Sequence, residues 1–520
     1  MLQDKFLCYK KASIAIMQEN LKNALLKYAK KLNYPFLWVS LMIAIALCTF
    51  QYWLYWPGYI QDDSQTTLLL DKAGWHPAIM AYLTEIAYNL FGIHVYNLFL
   101  LTIIPFYLGI WLIVYSAYLK TKSWLSLLLF FPCFIGNIFY IPIKLGSTSF
   151  SISWTCLLYG LTAFAIINPP AKKIKYVYYG VYAIVFSIAL LGRQNAILQI
   201  WPISFVWIGL YLSAKKLPLG KYIIRFIPLA FLSGVFCVAL MLGGNKLLSK
   251  SDKGNVYPET LIIMHHIVGT CAPEMDESCF EPDWWHRNWA KYPYRMQYLK
   301  AKYEFYKQDA EPFSISSYPD VTFKFFTDLK GRYAKWWYAI TKYPHNFYQH
   351  VYFFYLDLWS MDPNLVTPWE LQSLYSVKSM LKHAKIWHRF SGREYRKIKE
   401  IANKIPKDEL FIDWSYKQYK IDAFIRAFYP SFPAYIFIWI SMILLSIGIW
   451  EFIKNKKEIL YLLLISSSCG GVLSSLIIPL FCPRFFPRYM EPVYFCAVIS
   501  LCFYVIILLL PKEIKQVKQS

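Results

Sequence analysis

Charge is scarce in this chain. Asp, Glu, Lys and Arg make up 16% of its 520 residues, against about 25% in an average soluble domain. That deficit excludes a hydrated surface over the whole molecule. Walker loops, dinucleotide fingerprints and nucleophile elbows are absent, which removes the common nucleotide and hydrolase sites. No N-x-S/T sequon occurs, which disfavours a eukaryotic lumenal domain. No small-residue cleavage site follows the first apolar run, so a removable leader is not expected. No internal repeat or low-complexity tract is present.

Apolar side chains dominate instead, at 57% of residues with a mean hydropathy of +0.34. Long runs with few charges read as membrane spans. Ten such runs lie near 36–56, 95–119, 123–143, 147–168, 176–192, 195–213, 226–244, 432–452, 458–480 and 490–510. The expected fold class is an all-α polytopic membrane protein with about ten transmembrane helices and a large, mostly helical periplasmic loop.

The net charge of +23 could suggest nucleic acid, but its distribution argues against that. Short segments on one side carry 22 Lys and Arg, short segments on the other side carry five, and the long loop offsets its 27 with 21 acids. An excess of Lys and Arg marks the cytoplasmic face. The alternation predicts a multi-pass protein with both termini cytoplasmic. Residues 1–35 read as a basic amphipathic cytoplasmic segment against anionic lipid, or as a solvated tail. The expected modules are a membrane unit over 36–244, a far-side domain over 245–430, a second membrane unit over 431–511 and a tail over 512–520.

Within the long loop, Phe326, Leu329, Tyr333, Trp336, Ile340 and Tyr343 predict a helix over 323–343 that Pro344 ends. Residues 347–359 predict a short aromatic helix at the interface or packed on the membrane unit. Residues 378–404 predict basic helix and turn. Most Cys lie in apolar runs, as small hydrophobes. Cys271 and Cys279 flank the acidic stretch CAPEMDESC and pair if that side is oxidising; two free thiols are the alternative.

The first far-side loop, 57–94, carries the chemistry. Asp62 and Asp63 follow the first span closely, and paired carboxylates at a membrane surface need water, a partner or a cation. A helix cap or a solvated loop is the plain alternative. His76, between Trp75 and Pro77, is a substrate contact or a helix-start hydrogen bond. Residues 77–92 are apolar but too short to span, and read as a helix along the surface. Lys144, Arg193, Arg484 and Arg488 all sit against the positive-inside trend, on the same side as the acids. Singly each could snorkel to lipid head groups. Together, cations beside a carboxylate suit a phosphate leaving group and a general base. His265 and His266 with His286 match no trusted metal spacing. The loop aromatics, Trp284 and Trp285 among them, could stack on sugar or form core.

These residues also carry a resemblance. Pro57, Gly58, Tyr59 and Ile60, then Asp63-Ser64, Gln65 and Trp75-His76-Pro77, resemble the first-loop pattern of bacterial GT-C glycosyltransferases. Arg193-x-Asn195 and Arg488-Tyr489 with Pro492 resemble that superfamily's later motifs. It includes protein O-mannosyltransferases and lipid A aminoarabinose transferases. The resemblance implies transfer of a sugar from a polyprenyl phosphate carrier to a periplasmic glycan, lipid or protein. It also implies the bacterial inner membrane. On it, Asp63 is the base, and Asp62 supports it or helps hold a divalent cation. Lys144, Arg193, Asn195, Arg484, Arg488, Tyr489, Gln65 and His76 contact substrate. Two departures stand out. Lys144 is followed by Leu145 and Gly146, where many relatives have Lys-Asp, and Pro77 is followed by Ala78. The rival readings are a glycan polymerase or ligase, and a transporter or flippase of lipid-linked material.

Overall fold

Apolar runs without water must satisfy their backbone internally, so they become helices. The computed structural model describes residues 34–60, 64, 67–72, 78–249, 258–285, 293–308, 329–360, 392–410, 416–454, 459–481 and 487–510. Among these residues, eight helices are long and apolar enough to cross a membrane. Their main bodies are α1 (Tyr34–Tyr55), α3 (Tyr96–Thr121), α4 (Ser147–Ile167), α6 (Ile203–Ala214), α7 (Leu219–Leu248), α14 (Ala434–Lys454), α15 (Ile459–Ile477) and α16 (Glu491–Leu508). The short turns of Gln194–Ala196 and Ile197–Ile200 lead into α6. The chain is thus an all-α polytopic protein.

Two of the expected spans take other forms. Residues 176–192 become α5 (Lys175–Leu191), an apolar helix of 17 residues. Residues 123–143 begin as a 3₁₀ helix, Trp124–Phe134, followed by one turn at Gly136–Phe139. Its 11 residues at roughly 2.0 Å rise each reach about 22 Å. The 3₁₀ form therefore covers more depth per residue than an α-helix would. Residues 77–92, expected as a short helix, form α2 (Ala78–Phe91).

The inner and outer helices differ in what they bury. α3 and α4 cross where Gly109 meets Gly160: a Cβ on Gly109 would lie 2.4 Å from the Cys156 carbonyl carbon, and one on Gly160 2.6 Å from the Gly109 oxygen. Small residues let the backbones touch, which is how spanning helices gain packing energy without a hydrophobic drive. α15 does the same with the buried run Ser466, Ser467 and Ser468, then Gly470 and Gly471. The Ser467 and Ser500 hydroxyls bond at 2.9 Å between α15 and α16. By contrast α7 exposes Ile227, Phe231 and Leu232, side chains suited to lipid.

The long loop holds α8 (Pro258–Cys271), α9 (Arg295–Gln308), α10 (Arg332–Lys342), α11 (Pro344–Ser360), α12 (Gly392–Lys404) and α13 (Tyr416–Phe428). α10 falls inside the helix expected at 323–343, with Leu329 buried beside it and Tyr333 exposed. Pro344 does end α10, and it also starts α11, where a first-turn proline loses no bond. α11 covers the expected aromatic helix. α12 covers the second part of the basic stretch; residues 378–391, like residues 1–33, lie outside the described residues.

Candidate functional site

The structure brings three segments together: 143–149 at the entry to α4, 193–195 ahead of α6, and 488–491 at the start of α16. Each is a helix entry made by a local breaker. Gly146 adopts an extended conformation before Ser147. Arg193 is extended between α5 and the turn at Gln194. Pro492 opens α16 at its first turn. Helix N-termini present free N–H groups and a positive dipole end, so this convergence favours negative charge.

The segment after α1 is tied to the same place. The Tyr59 N–H donates to the Ile143 oxygen at 2.8 Å, and the Leu145 N–H donates to the Tyr59 oxygen at 2.9 Å. These bonds make a parallel bridge between Tyr59 and Lys144. Gly58 permits it. Its φ is +105°, and a Cβ there would sit 2.8 Å from Leu145 Cδ2. Tyr59, Ile60 and Ser64 are buried. Asp62, Asp63, Gln65, His76 and Arg484 lie outside the described residues, and so does the cation expected beside the acids.

Lys144 is buried, and its Nζ donates to Glu491 Oε1 at 2.6 Å, with side-chain exposures of 8% and 3%. The Ser149 hydroxyl donates to Glu491 Oε2 at 3.2 Å. Arg193 donates through Nε to Asn195 Oδ1 at 3.0 Å and through Nη1 to the Ser147 hydroxyl. The Arg193 and Arg488 guanidinium carbons each lie 5.7 Å from the centre of the Tyr489 ring. Two cations therefore contact one aromatic ring.

The structure thus brings Lys144, Arg193, Asn195, Arg488 and Tyr489 together through Ser147 and Glu491. Glu491 is the residue that sequence reasoning passed over, together with Ser147 and Ser149. A signal for it existed. Glu491 is one of five acids, with Asp62, Asp63, Asp71 and Glu85, in the short segments that the charge pattern assigns to one side.

Elsewhere in the loop, Cys271 and Cys279 form a disulfide with a Cα–Cα distance of 6.5 Å. His265 pairs with His350 at 3.0 Å. The Trp336 indole donates to His266 Nδ1 at 3.2 Å. Among the described residues no cluster of His, Cys, Asp or Glu has the geometry to hold a metal ion. Trp284 and Trp285 are buried core. Compared with protein-family models, curated proteins and solved structures, the chain finds no match.

Proposed function

We propose that the chain is a GT-C-type membrane glycosyltransferase. It moves a sugar from a polyprenyl phosphate carrier to a glycan, lipid or protein acceptor on the far side of a bacterial inner membrane. The observation that carries this reading is the pair of arginines, Arg193 and Arg488, gathered on Tyr489 beside the main-chain bridge from the acidic loop to Lys144.

The carrier's tail stays in lipid, so its phosphate reaches the protein at the membrane surface. There Arg193 and Arg488, with Arg484, hold the phosphate as negative charge builds on it. Asn195 fixes the Arg193 guanidinium. Asp63 takes the proton from the acceptor hydroxyl as that oxygen bonds to the sugar's anomeric carbon. The carbon–phosphate-oxygen bond breaks, and the polyprenyl phosphate leaves with its electron pair. Asp62 supports Asp63, and Gln65 and His76 orient the substrate.

In this proposal the chain crosses the membrane ten times. α5 and the 3₁₀ segment complete the charge alternation, and both termini are cytoplasmic. The Cys271–Cys279 disulfide supports an oxidising far side. Comparative surface-glycan mass spectrometry of a deletion strain and an Asp63→Asn strain tests the reading. Loss of the same sugar from both is expected. Full glycan output from Asp63→Asn, with the protein inserted, overturns it.

A further inference from the structure

Glu491 has a larger task in this arrangement than helix packing requires. Its carboxylate is buried, and both oxygens are engaged, one by Lys144 Nζ at 2.6 Å and one by the Ser149 hydroxyl at 3.2 Å. Burying an ion pair costs several kcal/mol of desolvation, and apolar side chains of similar volume join two helices as well or better. A pair retained in such a place does something that apolar packing would not, and fixing register is the best-attested such use.

The register here links the two halves of the site. On one side, the backbone at Lys144 is held to Tyr59 by two main-chain bonds, and Tyr59 stands three residues before Asp62. On the other side, Glu491 stands three residues after Arg488, in the first turn of α16. The path from the acidic loop to the arginine turn therefore runs from Tyr59 to Lys144, through one ammonium–carboxylate contact, and into Glu491. An error there shifts the start of the first loop at Tyr59 relative to the arginine turn.

We propose that Glu491 is a positioning residue. It holds the Lys144 ammonium, and through the Lys144 backbone the start of the first loop at Tyr59, in register with Arg193 and Arg488. This rests on the glycosyltransferase reading above. It also gives Lys144 a different role from a phosphate contact: its charge is committed to Glu491, and the phosphate falls to the arginines.

The test complements the deletion strain with Glu491→Gln, Glu491→Asp, the double variant Lys144→Met with Glu491→Met, and Asp63→Asn. Surface glycan and inserted protein are measured in each. A misplacement of about 1 Å costs roughly 100-fold in rate, so Glu491→Gln is expected to lose about that much glycan output while remaining inserted. Glu491→Asp, which keeps the charge, restores output. The double Met variant preserves volume without charge and is expected to stay inactive. Wild-type output from it makes the pair mere packing and overturns the proposal. If the double variant does not accumulate in the membrane, Glu491→Gln decides alone: wild-type output there overturns the proposal.

A second readout is binding of a polyprenyl monophosphate to the purified, detergent-solubilised protein. It is expected to be unchanged in Glu491→Gln. Lost binding puts the pair in the phosphate site and also overturns the positioning role. Asp63→Asn separates the two levels. If it is silent while Glu491→Gln is fully active, only this inference falls; if it is itself fully active, the glycosyltransferase reading falls first.

Discussion

Residues 258–360 and residues 392–428 belong to one loop in sequence, yet they bury their apolar side chains in different places. The first part builds a small core of its own from Ile263, Met264, Ile267, Val268, Trp284, Trp285 and neighbours. The second part has its buried residues, Ile398, Ala402, Ile405, Leu410 and Ile425, inside the core of the membrane unit. The polar contacts divide the same way. Asp422 accepts from the Tyr55 hydroxyl at 2.6 Å and from Tyr140 at 3.4 Å. Glu409 bonds His94 at 2.7 Å and accepts from the Val95 N–H at 2.6 Å, just ahead of α3. The first part reaches the membrane unit mainly through α11, whose Tyr355 and Trp359 donate to the Leu476 and Ser475 oxygens.

The difference teaches which half can change without moving the site. A core this small needs staples, and the first half has the Cys271–Cys279 bond and the Lys342–Asp276 pair. Among the described residues the second half shows no separate core to staple; it is keyed by two buried carboxylates, Asp422 and Glu409, to the ends of α1 and α3.

The largest effect is expected from Asp422→Ala. It removes hydrogen bonds to a charged acceptor and costs about 3 kcal/mol. Thermal unfolding of the purified protein reads the loss, and limited proteolysis reads its place. Cuts should appear in 392–428 while 258–285 stays protected. Equal cutting in both would mean that the loop opens as one unit and would break the comparison. Cys271→Ser should act on the other half. A bridge with a sequence separation of 8 restricts the unfolded chain by about 2–3 kcal/mol. Faster cleavage is expected within 258–360, with surface-glycan output unchanged. Lost output would show that the first half also shapes the site.

Much of this was legible in the sequence because the solvent imposes it. Hydropathy marked the eight long apolar helices, since lipid forbids unpaired backbone. The charge pattern also singled out Lys144, Arg193 and Arg488, which the structure gathers around Glu491, Ser147 and Tyr489. What stayed hidden were pairings at long sequence distance. Glu491 meets Lys144 across 347 positions and Asp422 meets Tyr55 across 367, and no local pattern encodes such a contact. The 3₁₀ form of Trp124–Phe134 was hidden for another reason: an apolar run carries no periodicity to tell one helix type from another.

Acid should separate the halves further, in two windows. Burial holds His266 near 4, below its ordinary 6.5, and pushes His350 down as well, with His265 and His266 adding to the effect. A buried neutral imidazole gives stability that is lost as pH falls from about 6.5 towards 4, because the unfolded chain binds the proton first. His266→Phe should remove part of that window. The smaller effect lies lower. Burial alone would raise the Asp276 carboxyl, but hydrogen bonds from Lys342, Ser278 and Tyr343 outweigh it and bring it to about 2 from an ordinary 3.8. Its contribution is fully present above the unfolded value and is lost as pH falls from about 4 towards 2. Lys342→Met takes away the Nζ donor at 2.7 Å, so the folded carboxyl should move up towards its ordinary value, the window should narrow from its low end, and less stability should be lost in it. Proteolysis of 258–360 across pH, with an acid-active protease, reads both windows. An unchanged profile in Lys342→Met would mean that Ser278 and Tyr343 hold the carboxylate without the lysine.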